Sequence, residues 1–169
     1  MTTNWPPMNE RGPVVSNDDV CAFEAQLGTT LPEDYRQFLL DVNGGQPARG
    51  HHVFTFQLKR CTPNHSSVNS LHGLNDPDER FNLGVQNEFM RHRSPSAGDL
   101  LHIGDSGYGT TLFLALRGEH RGEVWILDIE DERPDGSNPR VLWHDRRDMA
   151  CVAPNFREFM LRLEGSRGG

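Results

Sequence analysis

The stretch LLHIGDSGYGTTLFLALRGEHRGEVWILDI, residues 100–129, carries three apolar runs, LLHIG, TTLFLAL and EVWILDI, separated by turns that contain glycine. Runs this short, bounded by turn residues, have the length of strands, and their nearly continuous apolar character means that the central strands bury both faces. The run RVLWH at 140–144 extends the series, and the whole predicts an antiparallel meander. A sheet that is apolar on both sides needs a helix over at least one.

The flanks supply helices. Ser16 stands three residues before Asp19, the spacing of a capping box, and Val20, Phe23 and Leu27 then recur on one helical face until Gly28. In LPEDYRQFLLDVNGG, residues 31–45, Pro32 suits the first helical position, and Glu33 and Asp34 face the positive end of the dipole. Tyr35, Phe38, Leu39 and Val42 form its buried stripe, and Asn43-Gly44-Gly45 predicts a stop with at least one residue at positive φ. APNFREFMLRLEG, residues 153–165, predicts a last helix with Phe156, Phe159, Met160 and Leu163 on its stripe. Between these, HHVFTFQL at 51–58 alternates Phe54, Phe56 and Leu58 with more polar neighbours, as a half-buried strand does. Residues 60–96 are polar and rich in turns, except for a helix expected within 76–93 that places Phe81, Val85 and Phe89 on one face. The chain therefore reads as a single α+β domain, mainly an antiparallel meander packed against N-terminal and C-terminal helices, over residues 16–165. A flexible arm at 1–15 and a frayed tail at 166–169 flank it.

Composition narrows the function. Of 169 residues 35% are hydrophobic, which together with 17 glycines places the chain in the globular range. A formal charge of −7 argues against nucleic acid as a ligand, since phosphate neutralisation needs a basic surface. No apolar run is long enough to cross a bilayer, and MTTNWPP lacks the pattern of a signal peptide, so the expected location is cytoplasmic. Cys21, Cys61 and Cys151 are far apart and are expected to be reduced and buried.

Three motifs invite chemistry. Gly104-Asp105-Ser106-Gly107 spells the nucleophile tetrapeptide of trypsin-like proteases, but the partner segments are missing, and it is expected to be a tight turn whose glycines take positive φ. Eight histidines form neither H-E-x-x-H nor H-x-x-x-H on a predicted helix, so no metal and no cofactor is expected. His144-Asp145 is the best acid/base pair and is set aside as a strand-end feature. The acidic run from Asp128 to Asp135 lacks the spacing of a calcium loop and reads as a turn, or as a patch that steers a basic protein partner.

The order of L-P-x-D-Y-x-x-F-L-x-x-x-N-G-G, an aromatic strand, I-G-D-S-G-x-G, an apolar hairpin, V-W-x-L-D and N-F-x-x-F-x-x-x-L resembles the SUKH superfamily of Smi/Knr type, from about Val20 to Leu163. The resemblance implies a sheet backed by helices and a non-enzymatic bacterial immunity protein that neutralises a delivered toxin, often a nuclease or deaminase. A general interaction or regulatory module of the same fold is the alternative. A W-D-H-E-like string common in the family is replaced here by Trp125-Ile126-Leu127-Asp128-Ile129-Glu130. The residues expected to touch a protein partner are Glu130, Asp131, Glu132 and Asp135, with Asp105, Tyr108, Trp125 and Trp143.

Overall fold

Helix starts and stops in the computed structural model, which describes residues 5–59, 61–107, 109–128 and 141–163, fall close to where local chemistry puts them. Helix α1, Asn17–Leu27, opens on a capping box: the Asp19 N–H donates to Ser16 Oγ at 3.2 Å, and the Ser16 N–H donates to the Asp19 carboxylate at 2.7 Å. Gly28, at φ 66°, closes it. Helix α2, Glu33–Asp41, begins one residue later than expected, because Pro32 keeps an extended ψ of 137° and serves as its N-cap. Val20, Phe23, Tyr35, Phe38, Leu39 and Val42 are all buried.

The stop of α2 takes positive φ at all three positions, 57° at Asn43, 82° at Gly44 and 103° at Gly45. Asparagine tolerates the left-handed region because its short polar side chain bonds locally, and here that side chain also ties three segments together. It donates to the carbonyls of Pro13 and Leu74 at 2.7 and 2.8 Å and accepts from the Leu74 N–H at 2.7 Å.

Beyond this stop lies a six-stranded sheet, wholly antiparallel and in chain order: β3 (Val53–Phe56), β4 (Asn64–Leu71), β5 (Leu100–Ser106), β6 (Thr110–Ala115), β7 (Val124–Asp128) and β8 (Met149–Ala153). A two-stranded ribbon of β1 (Met8–Glu10) and β2 (Gln46–Pro47) joins the end of β4 through the Gly45–Leu71 bridge. Helices α3 (Leu83–Met90) and α4 (Phe156–Leu161, capped by Asn155) complete the α+β domain. The main core lies on one face of the sheet, where α1, α2 and α4 bury Phe38, Phe156 and Phe159 against Leu101, Ile103, Leu112, Leu114, Val124 and Ile126.

Several expectations need correction. The N-terminal arm is pinned from Trp5 onward, whose ring meets Phe38 edge-on at 5.4 Å and whose Nε1–H donates to Asp41 at 3.0 Å. The polar segment 60–96 contains β4, which ladder bonds to β3 and β5 hold on both sides although its sequence, NHSSVNSL, shows little apolar alternation. Within the expected run RVLWH, the described residues 141–144 form no strand: Trp143–Asp145 form a 3-10 turn, and β8 takes the sheet edge instead. Helix α3 buries Leu83 while Val85 and Phe89 are 41% and 61% exposed, so the expected apolar face looks outward. Cys21 and Cys151 are exposed and Cys61 is half-buried, because Cys21 lies off the Val20/Phe23 stripe and Cys151 sits on an edge strand. Gly104-Asp105-Ser106 belongs to β5 rather than to a turn. Gly104 is there for close approach, since a Cβ would stand 2.4 Å from the Ser70 carbonyl, and the positive φ falls at Gly109. The expected tail, 166–169, lies outside the described residues.

Candidate functional site

Alternation along the strands sends a second set of side chains to the face opposite the three helices. Leu100, Phe113, Ala115, Trp125 and Leu127 gather there and are closed over by Trp143 and Met149, with Met90 at the end of α3 against them. The register aligns His102 with Phe113 and Phe113 with Trp125, so three rings run in a row across β5, β6 and β7. An imidazole group stands at each end of this row.

At the β7 end, the His120 ring packs 5.5 Å from both Trp125 and Trp143 and 4.6 Å from His144, while Trp125 and Trp143 meet edge-on at 5.0 Å. Glu123 Oε2 accepts from Trp125 Nε1–H at 2.9 Å and lies 2.9 Å from His120 Nδ1, which fixes both rings. A cleft of about 240 Å³ opens here between Arg117, Glu119, His120, Leu142 and His144.

At the β5 end a strand irregularity brings the groups together. His102 and Asp105 are three residues apart, a spacing that puts side chains on opposite faces of a regular strand. Between His102 and Gly104, however, the register slips: His102 faces Phe113 while Gly104 faces Leu112. The extra residue, Ile103, shifts the parity, so His102 and Asp105 share the second face. His72, just past the end of β4, joins them: its Nε2 is 3.3 Å from His102 Nε2, and the rings stand at 86°. The Asp105 carboxylate reaches both, with Oδ1 3.1 Å from His102 Nε2 and Oδ2 3.6 Å from His72 Nε2. Asn87 of α3 locks β5 at this point, its amide accepting from the His102 N–H and donating to the His102 carbonyl, each at 2.8 Å.

His72 is fully buried and His102 is 3% exposed, whereas the Asp105 side chain is 47% exposed, so the cluster reaches solvent through its carboxylate. Burial, reinforced by the neighbouring His102, pushes the His72 pKa down to about 4 against the pull of Asp105, leaving its ring neutral at pH 7. Burial alone would raise the Asp105 pKa; the hydrogen bond and charge of His102, with that of His72, hold it below the usual carboxylate range.

Of the residues expected to touch a partner, Asp105 lies in this cluster. Trp125 and Trp143 sit at the other end, but at 7% and 9% exposure they support the His120 rim rather than project as anchors. Glu130, Asp131, Glu132, Asp135 and Tyr108 lie outside the described residues. Ser106 faces away from the imidazoles, and its hydroxyl donates to the Thr110 carbonyl at 2.8 Å and lies beside Ser66 Oγ at 3.3 Å. His144 Nδ1 is 3.9 Å from Asp145, whose carboxylate also faces Lys59 Nζ at 3.4 Å. Sequence reading passed over His72, His102 and His120, because their grouping depends on strand register and on the bulge, neither of which a spacing motif records.

A family model described as SMI1 / KNR4 family (SUKH-1) matches residues 14–162 of the chain. No curated protein matches it.

Proposed function

The chain belongs to the SMI1/KNR4 family (SUKH-1), and from that premise we propose that it is a cytoplasmic, non-enzymatic immunity protein that binds and neutralises a cognate toxin, a basic enzyme acting on nucleic acid. The observation that supports this best is the second face of the sheet, opposite α1, α2 and α4, where exposed carboxylates rim the Phe113–Trp125 row and the Trp143 ring that covers it. Asp105, Glu119 and Asp145 expose 47%, 81% and 60% of their side chains there, and the acidic run begins at Asp128, where β7 ends. Together with a formal charge of −7, this rim suits a basic partner by speeding encounter and by occupying the surface its anionic substrate would use. Glu130, Asp131, Glu132, Asp135 and Tyr108 extend the same contact in this reading.

The test pairs this protein with any candidate toxin domain found encoded beside its gene. Co-expression should restore growth, the two purified proteins should form a complex, and Ser106→Ala should protect as well as wild type, since the serine plays no part. Lost protection with fold and toxin affinity intact would assign that hydroxyl a catalytic role. Absence of any complex with the adjacent toxin would favour the regulatory module.

A further inference from the structure

The His72–His102–Asp105 group has the shape of a metal site. Two imidazole Nε2 atoms, on β5 and just beyond the end of β4, lie 3.3 Å apart, the Asp105 carboxylate spans them with Oδ1 3.1 Å from His102 and Oδ2 3.6 Å from His72, and the Gly104 carbonyl lies 3.1 Å from His102 Nε2. Donors around a tetrahedral ion with bonds of about 2.0–2.1 Å stand roughly 3.3–3.4 Å apart. The three separations bracket that value, so a small rotation of the carboxylate places all three donors on one face of a tetrahedron. Their atoms lie within 4.8 Å of one another. Burial holds the rings in place: His72 and His102 are 0% and 3% exposed, and the Asn87 clamp fixes the backbone of His102, so little rotamer freedom remains to be lost on binding.

We propose that His72, His102 and Asp105 bind one zinc-class divalent ion, with the fourth position open toward solvent beside Asp105. Two imidazoles and one carboxylate suit borderline ions such as Zn²⁺ or Co²⁺ better than the all-oxygen preference of Mg²⁺ or Ca²⁺. The ion ties the chain beyond β4 to β5 across the bulge and leaves one position for water or for a donor from a partner. Among the described residues, His72 Nδ1 and His102 Nδ1 are buried without a hydrogen-bond partner, so the outer bonds that usually strengthen ligating histidines are not found there. That omission costs about 10–100-fold in affinity relative to a site whose histidines carry such outer bonds. A second group, Glu119, His120 and His144, is less well organised, because Glu123 already engages His120 Nδ1 and the Glu119 side chain is 81% exposed.

Calorimetric titration of chelator-treated protein with Zn²⁺ tests the assignment, with Co²⁺ as an optical probe of four-coordinate geometry. Wild type should take up one equivalent. Asp105→Asn, at a half-exposed position that keeps the hydrogen-bonding shape, should weaken binding at least tenfold while the metal-free protein stays folded, and His144→Gln should bind as wild type. In unmutated protein, the ring resonances of His72 and His102 should shift with Zn²⁺ and those of His144 should not, a readout independent of any variant's folding. No uptake by wild type, unchanged binding by Asp105→Asn, or loss in His144→Gln would each overturn the assignment. None of these outcomes bears on toxin binding, which the co-expression experiment reads separately.

Discussion

Gly44 shows how one position couples helix termination to sheet assembly. At φ 82° a side chain is strained whatever the space, and a Cβ there would also meet Gly73 N, His72 C and the Leu71 carbonyl at 2.7–2.8 Å. Gly50 has φ 98° with open space around it, so it carries the conformational strain alone. Gly44→Ala should therefore destabilise the protein by more than the ~1 kcal/mol typical of the left-handed penalty, and Gly50→Ala by about that amount, as urea midpoints will show. Ser16 is the second informative residue. Ser16→Ala removes the α1 cap and should cost about 1 kcal/mol near neutral pH. The Ser16 hydrogen bonds hold the Asp19 carboxyl below its ordinary 3.8. A depressed folded pKa gives stability that is present above the unfolded value and is lost as pH falls through the folded one. The gap between wild type and Ser16→Ala should accordingly narrow in acid, and denaturation at pH 7 and below pH 3.8 checks it.

At the scale of elements, burial separates helices whose sequences look alike. Phe38 on α2 and Phe159 on α4 are 0% and 1% exposed within the core beneath the sheet. Phe38→Ala and Phe159→Ala should each cost roughly 3–5 kcal/mol, by lost transfer energy plus a cavity. Phe89 on α3 has the same periodicity, yet it is 61% exposed, with the Arg93 guanidinium 5.0 Å from its ring centre. Phe89→Ala should cost about 1 kcal/mol or less. Equal effects at the three positions would mean that α3 packs through its aromatic face after all. The reason α3 turns that face outward is legible only in space: Asn87 bonds the backbone of β5 and Leu83 enters the core, and together they fix the rotation of the helix.

For the whole molecule, charge and shape act at different ranges. Exposed carboxylates steer a basic partner from a distance set by the Debye length, ~8 Å at physiological ionic strength, whereas short-range packing governs how long the complex lasts. Reversing Glu130, Asp131 and Glu132 to Lys should slow association with the cognate toxin at low salt, less so at high salt, and should change dissociation less. Stopped-flow mixing at two salt concentrations measures this, and a wild-type rate from the reversed protein at low salt would move the contact to residues 60–96.

The caps and stops of α1 and α2, a positive φ after α2 and the apolar runs of β5, β6 and β7 were written in the sequence, because caps, glycines and apolar runs act over a few residues. Strand β4 was not, since its backbone bonds to β3 and β5 hold a polar sequence that does not advertise a strand. Nor was the fate of Trp143, which the apolar pattern assigned to a strand and which instead folds over Trp125. The histidine cluster depended on tertiary structure most of all. Gly104 lets the Ser70 carbonyl approach, the bulge at Ile103 reverses the parity of β5, and the chain leaving β4 then delivers His72 to a face that alternation alone would not have given to both His102 and Asp105.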